Sequence, residues 1–225
     1  MTLRWIFWDN DGVLVDTEGL YRDAVRDTYR SFGFDFDEAT YQGTRAAGLS
    51  SWQPAIDAGA THQAISQMKE TRSRIYHRSI ADARRSKSFF IPGVRQVLEA
   101  LSKTYQMAIV TMATRHEVDI SHKDGGMTQF MRFVLTVEDV NEYKPHPEPY
   151  LKALEIANAA PEESLVIEDS EQGLKSAIAA GISCVVVKNH YFGAVHDFTG
   201  AAAVLSSITE LPGTIDRFFS GSPQL

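Results

Sequence analysis

Residues 7–16, which read Phe-Trp-Asp-Asn-Asp-Gly-Val-Leu-Val-Asp, place two carboxylates two positions apart at the end of an apolar run. The run covers residues 3–8, and its length and content predict a buried β-strand. Side chains at i and i+2 of an extended segment point the same way, so Asp9 and Asp11 are expected to converge on one spot. Two like charges brought together are costly unless a cation or a shared proton relieves them. The stretch therefore predicts a chemically active site at the end of the first strand.

The composition favours a soluble globular protein. The chain has 225 residues, a hydrophobic content of 44% and a formal net charge of −7. This length is enough to bury a sizeable core, and the acidic balance argues against a nucleic-acid partner, which usually leaves a basic footprint. The apolar runs are too short to cross a membrane, and no segment has the form of a signal peptide. The single cysteine, Cys184, fits a reducing compartment and is expected to be a small core residue. A cytoplasmic protein without a membrane partner is therefore predicted.

Short apolar runs recur along the chain, with helical patterns between most of them. Each run is continuous and rich in β-branched or aromatic side chains, which is typical of strands buried on both faces of a parallel sheet. The alternation with helices predicts an α/β fold, a doubly wound parallel sheet. The runs cover residues 3–8, 107–111, 133–137, 164–167, 184–187 and, more weakly, 202–205.

One region interrupts this alternation. No buried-strand run occurs between Val15 and about Ser88, and this gap is far longer than an ordinary connection. We therefore predict a core domain built from residues 1–15 and 88–225, with an inserted α-helical cap domain over residues 16–87. Helical patterns in the inserted region cover residues 17–32, 37–47, 51–59 and 61–80.

Polar side chains follow four of the predicted strands. Asp9 and Asp11 come after the first run, and Thr111 ends the second. Lys144 lies beyond the third, and residues 168–169, Glu and Asp, follow the fourth. Ligands of open α/β sheets bind beyond the carboxyl ends of the strands. The sequence therefore predicts that these groups meet at one edge of the sheet.

The four segments, residues 9–16, 110–111, 144–147 and 166–170, resemble in order the four motifs of the haloacid dehalogenase (HAD) superfamily. The resemblance is to the group of β-phosphoglucomutase- and phosphoglycolate phosphatase-like hydrolases with a helical cap, and it covers essentially the whole chain. It implies a Rossmann-like core and a magnesium-dependent phosphatase. The substrate would be a small phosphorylated metabolite of the sugar phosphate or phosphoglycolate type, hydrolysed through an aspartyl-phosphate.

The resemblance also implies a role for each catalytic candidate. Asp9 corresponds to the aspartate that attacks phosphorus. Asp11 would protonate the leaving oxygen and then activate water as a general base. Lys144 would neutralise Asp9 and the transferring phosphoryl group, and Thr111 would donate a hydrogen bond to a phosphoryl oxygen.

A carboxylate that attacks a phosphate dianion needs a hard cation nearby, and Mg²⁺ prefers oxygen ligands. The resemblance places this cation on the carboxylates of Asp9 and Asp169 and on the backbone carbonyl of Asp11. Glu168 would be an outer or water-linked ligand.

The candidate substrate contacts fall in both predicted domains. Thr111, Met112 and Lys144 belong to the core motifs. Thr17 and Arg45 belong to the inserted region, and Arg45 lies on a glycine-flanked segment where relatives have a substrate loop.

Three positions depart from the family pattern. Asn10 replaces a residue that is apolar in many relatives, and nothing in the sequence accounts for it. Ala113 replaces a residue that is often Ser or Asn. Tyr21 stands where many sugar-phosphate members carry a histidine near the general acid, which weakens the alternative that the chain is a phosphomutase of the β-phosphoglucomutase type.

A non-catalytic phospholigand-binding protein is a further alternative, and it predicts decay of a catalytic set that is intact here.

Other expectations concern single residues and assembly. Thr114 should cap a helix, whereas His116 and His122 lie in a polar stretch and are expected to be exposed. The expected oligomeric state is a monomer or a weak homodimer.

Overall fold

The computed structural model describes residues 5–47, 49–86, 89–123, 126–188 and 197–219, without the side chains of residues 45, 46, 218 and 219. The chain divides into two compact units. One contains residues 1–16 and 87–225, and the other is Thr17–Ser86. Among the described residues, no helix combines the length and apolar character that crossing a membrane requires.

The first unit is built on a six-stranded parallel sheet, which confirms the predicted doubly wound α/β fold. The strand order is β3-β2-β1-β4-β5-β6, so β1 is central and the order reverses between β1 and β4. Ligands of such sheets bind at this reversal, beyond the carboxyl ends of the strands. The strands are β1 (Trp5–Trp8), β2 (Gln106–Val110), β3 (Val134–Leu135), β4 (Ser164–Glu168), β5 (Ser183–Val187) and β6 (Ala203–Leu205).

Nine α-helices are described over both units. The second unit contains α1 (Glu18–Ser31), α2 (Glu38–Ala46), α3 (Gln53–Asp57) and α4 (His62–Ala83). The first unit contains α5 (Val94–Leu101), α6 (Arg115–His122), α7 (Glu148–Ala157), α8 (Glu171–Ala179) and α9 (Leu211–Phe219).

Helices cover both faces of the sheet, which explains why the strand sequences are apolar without alternation. On one face, Ile6 and Trp8 of β1 share a buried cluster with Leu98 of α5 and Ile215 of α9. On the other face, Phe7 of β1 belongs to a second cluster. That cluster includes Ala153 of α7, Leu174 of α8 and the predicted core residue Cys184 of β5. The central strands β1 and β4 are therefore buried on both sides, whereas the edge strand β6 leaves Val204 exposed.

The third apolar run forms a shorter strand than its extent, 133–137, predicts. β3 ends at Leu135, because the backbone N–H and hydroxyl of Thr136 both donate to the Asp139 carboxylate. This local bonding turns Val137–Asp139 into a 3₁₀ helix. The chain then leads toward Lys144.

The second unit has its own small core. Tyr29 of α1 lies at its centre, stacked on Phe36 with ring centroids 4.2 Å apart and on Trp52 at 6.0 Å. Its hydroxyl donates to the carbonyl of Ser51 at 2.8 Å. Helix α4 begins at His62 with Thr61 as its N-cap, whose hydroxyl accepts the N–H of Ala64. Buried aromatic packing and helix caps thus stabilise this unit without a β-strand among its described residues.

Candidate active site

The carboxyl ends of β1, β2 and β4 bring the core candidates together. Asp9 directly follows β1, and its backbone N–H donates to the carbonyl of Ile167 in β4 at 2.9 Å. Thr111 directly follows β2, and Glu168 and Asp169 lie at the end of β4. Carboxylate oxygens of Asp9, Glu168 and Asp169 lie within 4.8 Å of one another. The site therefore forms where the strand order reverses.

The loop after β1 turns sharply, and a glycine makes the turn possible. Gly12 has φ of 80°, a region that side chains with a Cβ rarely adopt. Its N–H donates to the carbonyl of Val15, and the N–H groups of Leu14 and Val15 both donate to the carbonyl of Asn10. This closed loop presents Asp11, which is half-buried, beside the end of the sheet.

Lys144 links the carboxylates of this site. Its Nζ donates to Asp9 Oδ1 at 2.7 Å, to Glu168 Oε1 at 2.7 Å and to the carbonyl of Val110 at 2.9 Å. An ammonium group has three protons, and each has an acceptor here. The side chain is only 4% exposed, so its charge is compensated by these acceptors rather than by water.

Glu168 is held by contacts to both of its oxygens. Oε1 accepts from Lys144 and from the hydroxyl of Tyr150 at 2.8 Å. Oε2 accepts from the N–H of Asp169 at 3.2 Å and from the hydroxyl of Ser170 at 3.0 Å. Ser170 also caps α8 by accepting the N–H of Gly173. The start of α8 thus fixes the carboxylate that faces Lys144.

Burial and charge set the protonation of this group of residues. Burial raises the pKa of Asp9 to about 8, and the Glu168 and Asp11 carboxylates add to this, while Lys144 opposes it. Burial disfavours the charged form of Lys144, yet Asp9 and Glu168 outweigh burial and hold its pKa above the usual range. The site has more negative charge than its lysine compensates, which is the condition that a divalent cation relieves.

The two predicted substrate contacts after β2 lie at the edge of this site. The hydroxyl of Thr111 accepts the N–H of Ala113 at 3.0 Å and lies 3.5 Å from Asp11 Oδ2. Met112 is half-buried in the same turn. As predicted, Thr114 caps α6, in a capping box with Glu117.

The prediction that His122 is exposed is wrong, since only 6% of this residue is exposed. Its Nε2 lies 2.7 Å from Asn10 Oδ1, and its Nδ1 accepts the N–H of Met127 at 3.0 Å. Val118, one helical turn earlier, is also buried, so His122 lies on the inner face of α6. The spacing of four residues between Val118 and His122 is the sequence signal that could have identified His122 as buried. The contact with His122 accounts for the polar residue at position 10.

Two predicted substrate contacts belong to the second unit. Thr17 is buried at the start of α1, and Arg45 belongs to α2 with a side chain outside the described residues. Tyr150 is a site residue that the sequence motifs do not indicate, because it lies among the buried residues of α7. Its hydroxyl contact with Glu168 and its ring, with a centroid 5.0 Å from the Lys144 Nζ, place it in the site.

The chain is similar in sequence and in fold to known proteins. The sequence profile of the haloacid dehalogenase-like hydrolases matches residues 6–187. The chain is 27% identical to the "Phosphorylated carbohydrates phosphatase" of Thermotoga maritima, over 90% of each chain. It is 28% identical to "Protein CbbY" of Rhodobacter capsulatus, over 94% of this chain and 100% of that one. The crystal structure of a "putative beta-phosphoglucomutase" from Thermotoga maritima superposes with a TM-score of 0.73 at 26% identity, covering 96% of this chain and 99% of that one.

Replacing Gly173 with alanine should destabilise the protein, because the site leaves no room for a side chain there. A Cβ at Gly173 would lie 1.9 Å from the carboxylate carbon of Glu168, so that carboxylate would have to move. We expect Gly173→Ala to lower the free energy of unfolding by about 1–3 kcal/mol, measured by urea denaturation. Gly213→Ala is the matched control. Gly213 is also helical, but a Cβ there would meet nothing within 4 Å, so this variant should be as stable as wild type or slightly more stable. Equal stability of the two variants would contradict this packing.

The burial of His122 predicts a pH-dependent loss of stability. Burial lowers the pKa of His122 from 6.5 to about 4. Protonation of Nδ1 would also place its N–H against the backbone N–H of Met127, so that two donors would face each other. Above pH 6.5 the ring is neutral in both the folded and the unfolded states. As the pH falls from 6.5 toward 4, the unfolded chain binds a proton that the folded chain does not, so stability decreases by about 3 kcal/mol.

The check is urea unfolding at neutral pH and near pH 4 for wild type, His122→Gln and the exposed-histidine control His116→Gln. Wild type and His116→Gln should lose about 3 kcal/mol more than His122→Gln over this interval. The same loss in all three proteins would show that His122 titrates normally.

Proposed function

The chain belongs to the haloacid dehalogenase-like hydrolases and is a phosphoric monoester hydrolase, and we propose that it is a magnesium-dependent phosphatase of a small phosphorylated metabolite. The proposed substrate is a sugar phosphate or a compound of the phosphoglycolate type. One observation carries the proposal. Lys144 binds Asp9 and Glu168 at 2.7 Å each, beside Asp169, at the carboxyl ends of the central strands.

Asp9 is the proposed nucleophile. Its Oδ1 is held by Lys144, and the side chain is 12% exposed, so the carboxylate is fixed but still accessible. Attack on phosphorus forms the aspartyl-phosphate as the bond from phosphorus to the leaving oxygen breaks. The Lys144 ammonium would stabilise negative charge that develops on the phosphoryl oxygens. The Thr111 hydroxyl, which faces Asp11 Oδ2 at 3.5 Å in the free protein, would turn its proton to one of them when substrate binds.

Asp11 is the proposed acid and base. Its carboxyl group would give a proton to the leaving oxygen as that bond breaks. It would then take a proton from the water that hydrolyses the aspartyl-phosphate. A phosphatase of alkyl phosphates needs such a residue, because an alkoxide leaves poorly without a proton.

The residues of the site fit a magnesium ion. The proposed ligands are the carboxylates of Asp9 and Asp169 and the backbone carbonyl of Asp11, all hard oxygen donors. Glu168 is proposed as an outer ligand, which agrees with the engagement of both its oxygens by other groups. When bound, the cation supplies positive charge that lets a carboxylate approach a phosphate dianion.

The inserted helical unit is proposed to act as a cap that determines the substrate. Thr17 and Arg45 stay proposed substrate contacts in that unit.

A monomer or weak homodimer in the cytoplasm is proposed as the working form. The buried state of the single cysteine, Cys184, agrees with a reducing compartment.

The test is phosphate release from a panel of phosphorylated metabolites with Mg²⁺, with EDTA, and with Mg²⁺ restored. Wild type should release phosphate only when Mg²⁺ is present. Asp9→Asn should lower turnover by at least about a thousandfold, because the amide cannot form the phosphoenzyme. Asp119→Asn, which alters an exposed aspartate of the same unit, is the control and should retain activity. Near wild-type turnover by Asp9→Asn would rule out this mechanism.

A phosphomutase is the second candidate, and the similarity to a structure described as a putative beta-phosphoglucomutase favours it. The two candidates share the nucleophile but differ in product. A hexose monophosphate supplied with its bisphosphate would yield an isomerised monophosphate from a mutase and free phosphate from a phosphatase. The phosphatase is preferred, because Tyr21 replaces the histidine found near the general acid in many sugar-phosphate members.

A further inference from the structure

A buried chain of polar groups runs from the backbone after α6 to the Asp11 carboxyl group. The N–H of Met127 donates to His122 Nδ1 at 3.0 Å, and His122 Nε2 lies 2.7 Å from Asn10 Oδ1. Asn10 Nδ2 in turn lies 3.3 Å from Asp11 Oδ2. Asn10 is 1% exposed and His122 is 6% exposed. These hydrogen bonds bring together Asn10 and His122, which are 112 positions apart in sequence.

The backbone N–H of Met127 fixes the direction of every hydrogen bond in this series of polar groups. A backbone N–H only donates, so His122 Nδ1 is the acceptor and the proton of the neutral ring lies on Nε2. Nε2–H then donates to Asn10 Oδ1, which leaves the Asn10 amide nitrogen to face Asp11 as a donor. Burial lowers the pKa of His122 to about 4, so the ring keeps this tautomer at neutral pH.

The arrangement fixes the orientation of one carboxyl group. Asn10 Nδ2 and the hydroxyl of Thr111, at 3.3 and 3.5 Å, both approach the same oxygen of Asp11, Oδ2. The Thr111 hydroxyl accepts the N–H of Ala113, so its own proton is available for this contact. In the free protein these two donors restrict rotation of the carboxyl group about its terminal bond, and Asn10 is the donor that remains when Thr111 donates to a phosphoryl oxygen.

The position of the Asn10–His122 pair is informative, because burying an amide and an imidazole costs free energy that an apolar pair would not. Their mutual hydrogen bond offsets this cost only in part. The amide nitrogen of Asn10 is directed at Asp11 and not at another structural partner among its described contacts. Gly126 also packs closely against His122, since a Cβ at Gly126 would lie 2.4 Å from the His122 Cα. The pair is therefore rigid as well as polar.

We propose that Asn10 and His122 are positioning residues that orient the Asp11 carboxyl group for proton transfer to the leaving oxygen. This inference rests on the proposed function, in which Asp11 protonates the leaving oxygen while the bond from phosphorus breaks. The carboxylate then accepts a proton from the attacking water. A misoriented carboxyl group slows proton transfer without changing the nucleophile or the charges around Asp9.

The experiment compares two substrates that differ in their need for an acid. β-Glycerophosphate has an alkoxide leaving group that needs a proton, whereas dinitrophenyl phosphate has a leaving group that is stable as an anion. Asn10→Leu introduces the apolar character that many relatives have at this position, and His122→Leu removes the donor at the other end. We expect each to lower kcat/KM for β-glycerophosphate about 3–10-fold, because kcat/KM reports the steps up to formation of the phosphoenzyme, in which the leaving oxygen takes its proton. The kcat/KM for dinitrophenyl phosphate should change less than about twofold, because formation of the phosphoenzyme from this substrate needs no acid.

Three further variants make the result specific. His122→Gln, whose amide nitrogen is expected to reach the position of Nε2, should keep the donor to Asn10 and retain most of the activity. The double variant Asn10→Leu/His122→Leu should lose no more than either single variant, because the two residues act as one chain. Asp11→Asn is the reference, with a larger loss of kcat/KM confined to the same substrate, since loss of the general base affects only the later hydrolysis of the phosphoenzyme.

Each outcome has a defined meaning. Equal losses on both substrates would assign the pair a purely structural role, and unchanged kinetics in Asn10→Leu would remove it from catalysis, so either result overturns the proposal. If Asp11→Asn does not discriminate between the substrates, or wild type hydrolyses neither, the proposed function itself fails. A leaving-group-dependent loss in Asn10→Leu, restored in His122→Gln relative to His122→Leu, supports the proposal.

Discussion

The buried ammonium group of Lys144 is the interaction on which the site depends. It joins the carboxylate that follows β1 to the carboxylate that ends β4, across 135 positions of sequence for Asp9 and 24 for Glu168. Removing one partner of a buried ion pair leaves an uncompensated charge, at a cost of about 3–5 kcal/mol. Lys144 therefore holds together two strand ends whose carboxylates would otherwise repel each other.

The surrounding fold keeps this lysine in place. The carbonyl of Val110 at the end of β2 takes its third proton, so three neighbouring strands contribute to one cluster. Tyr150 of α7 and Ser170 at the start of α8 fix Glu168, and the missing side chain of Gly173 leaves room for that carboxylate. The helices that bury the sheet thus also determine how the charged groups meet.

The sequence was sufficient to predict the strands and the groups at their ends, because buried parallel strands and the residues that follow them are local patterns. Asp9, Thr111, Lys144 and Glu168 were identified in this way. The site residues missed were those whose role depends on packing between distant segments. His122 lies in a polar stretch, and only the packing of α6 beside the β1 loop shows that it meets Asn10. The hydroxyl of Tyr150 gives no local signal either, because Tyr150 lies among apolar residues of α7 and its contact with Glu168 depends on packing between distant segments.

The proposed mechanism requires that Asp9 becomes phosphorylated during turnover. The most direct measurement mixes the enzyme and Mg²⁺ with a substrate carrying a radioactive phosphoryl group, quenches the reaction with acid within one turnover and maps the labelled peptide. If Asp9 is the nucleophile, label appears on the peptide that contains Asp9, is released by hydroxylamine as expected for an acyl phosphate, and is absent in Asp9→Asn. Turnover with label on another residue, or with no covalent label at any quench time, would contradict it.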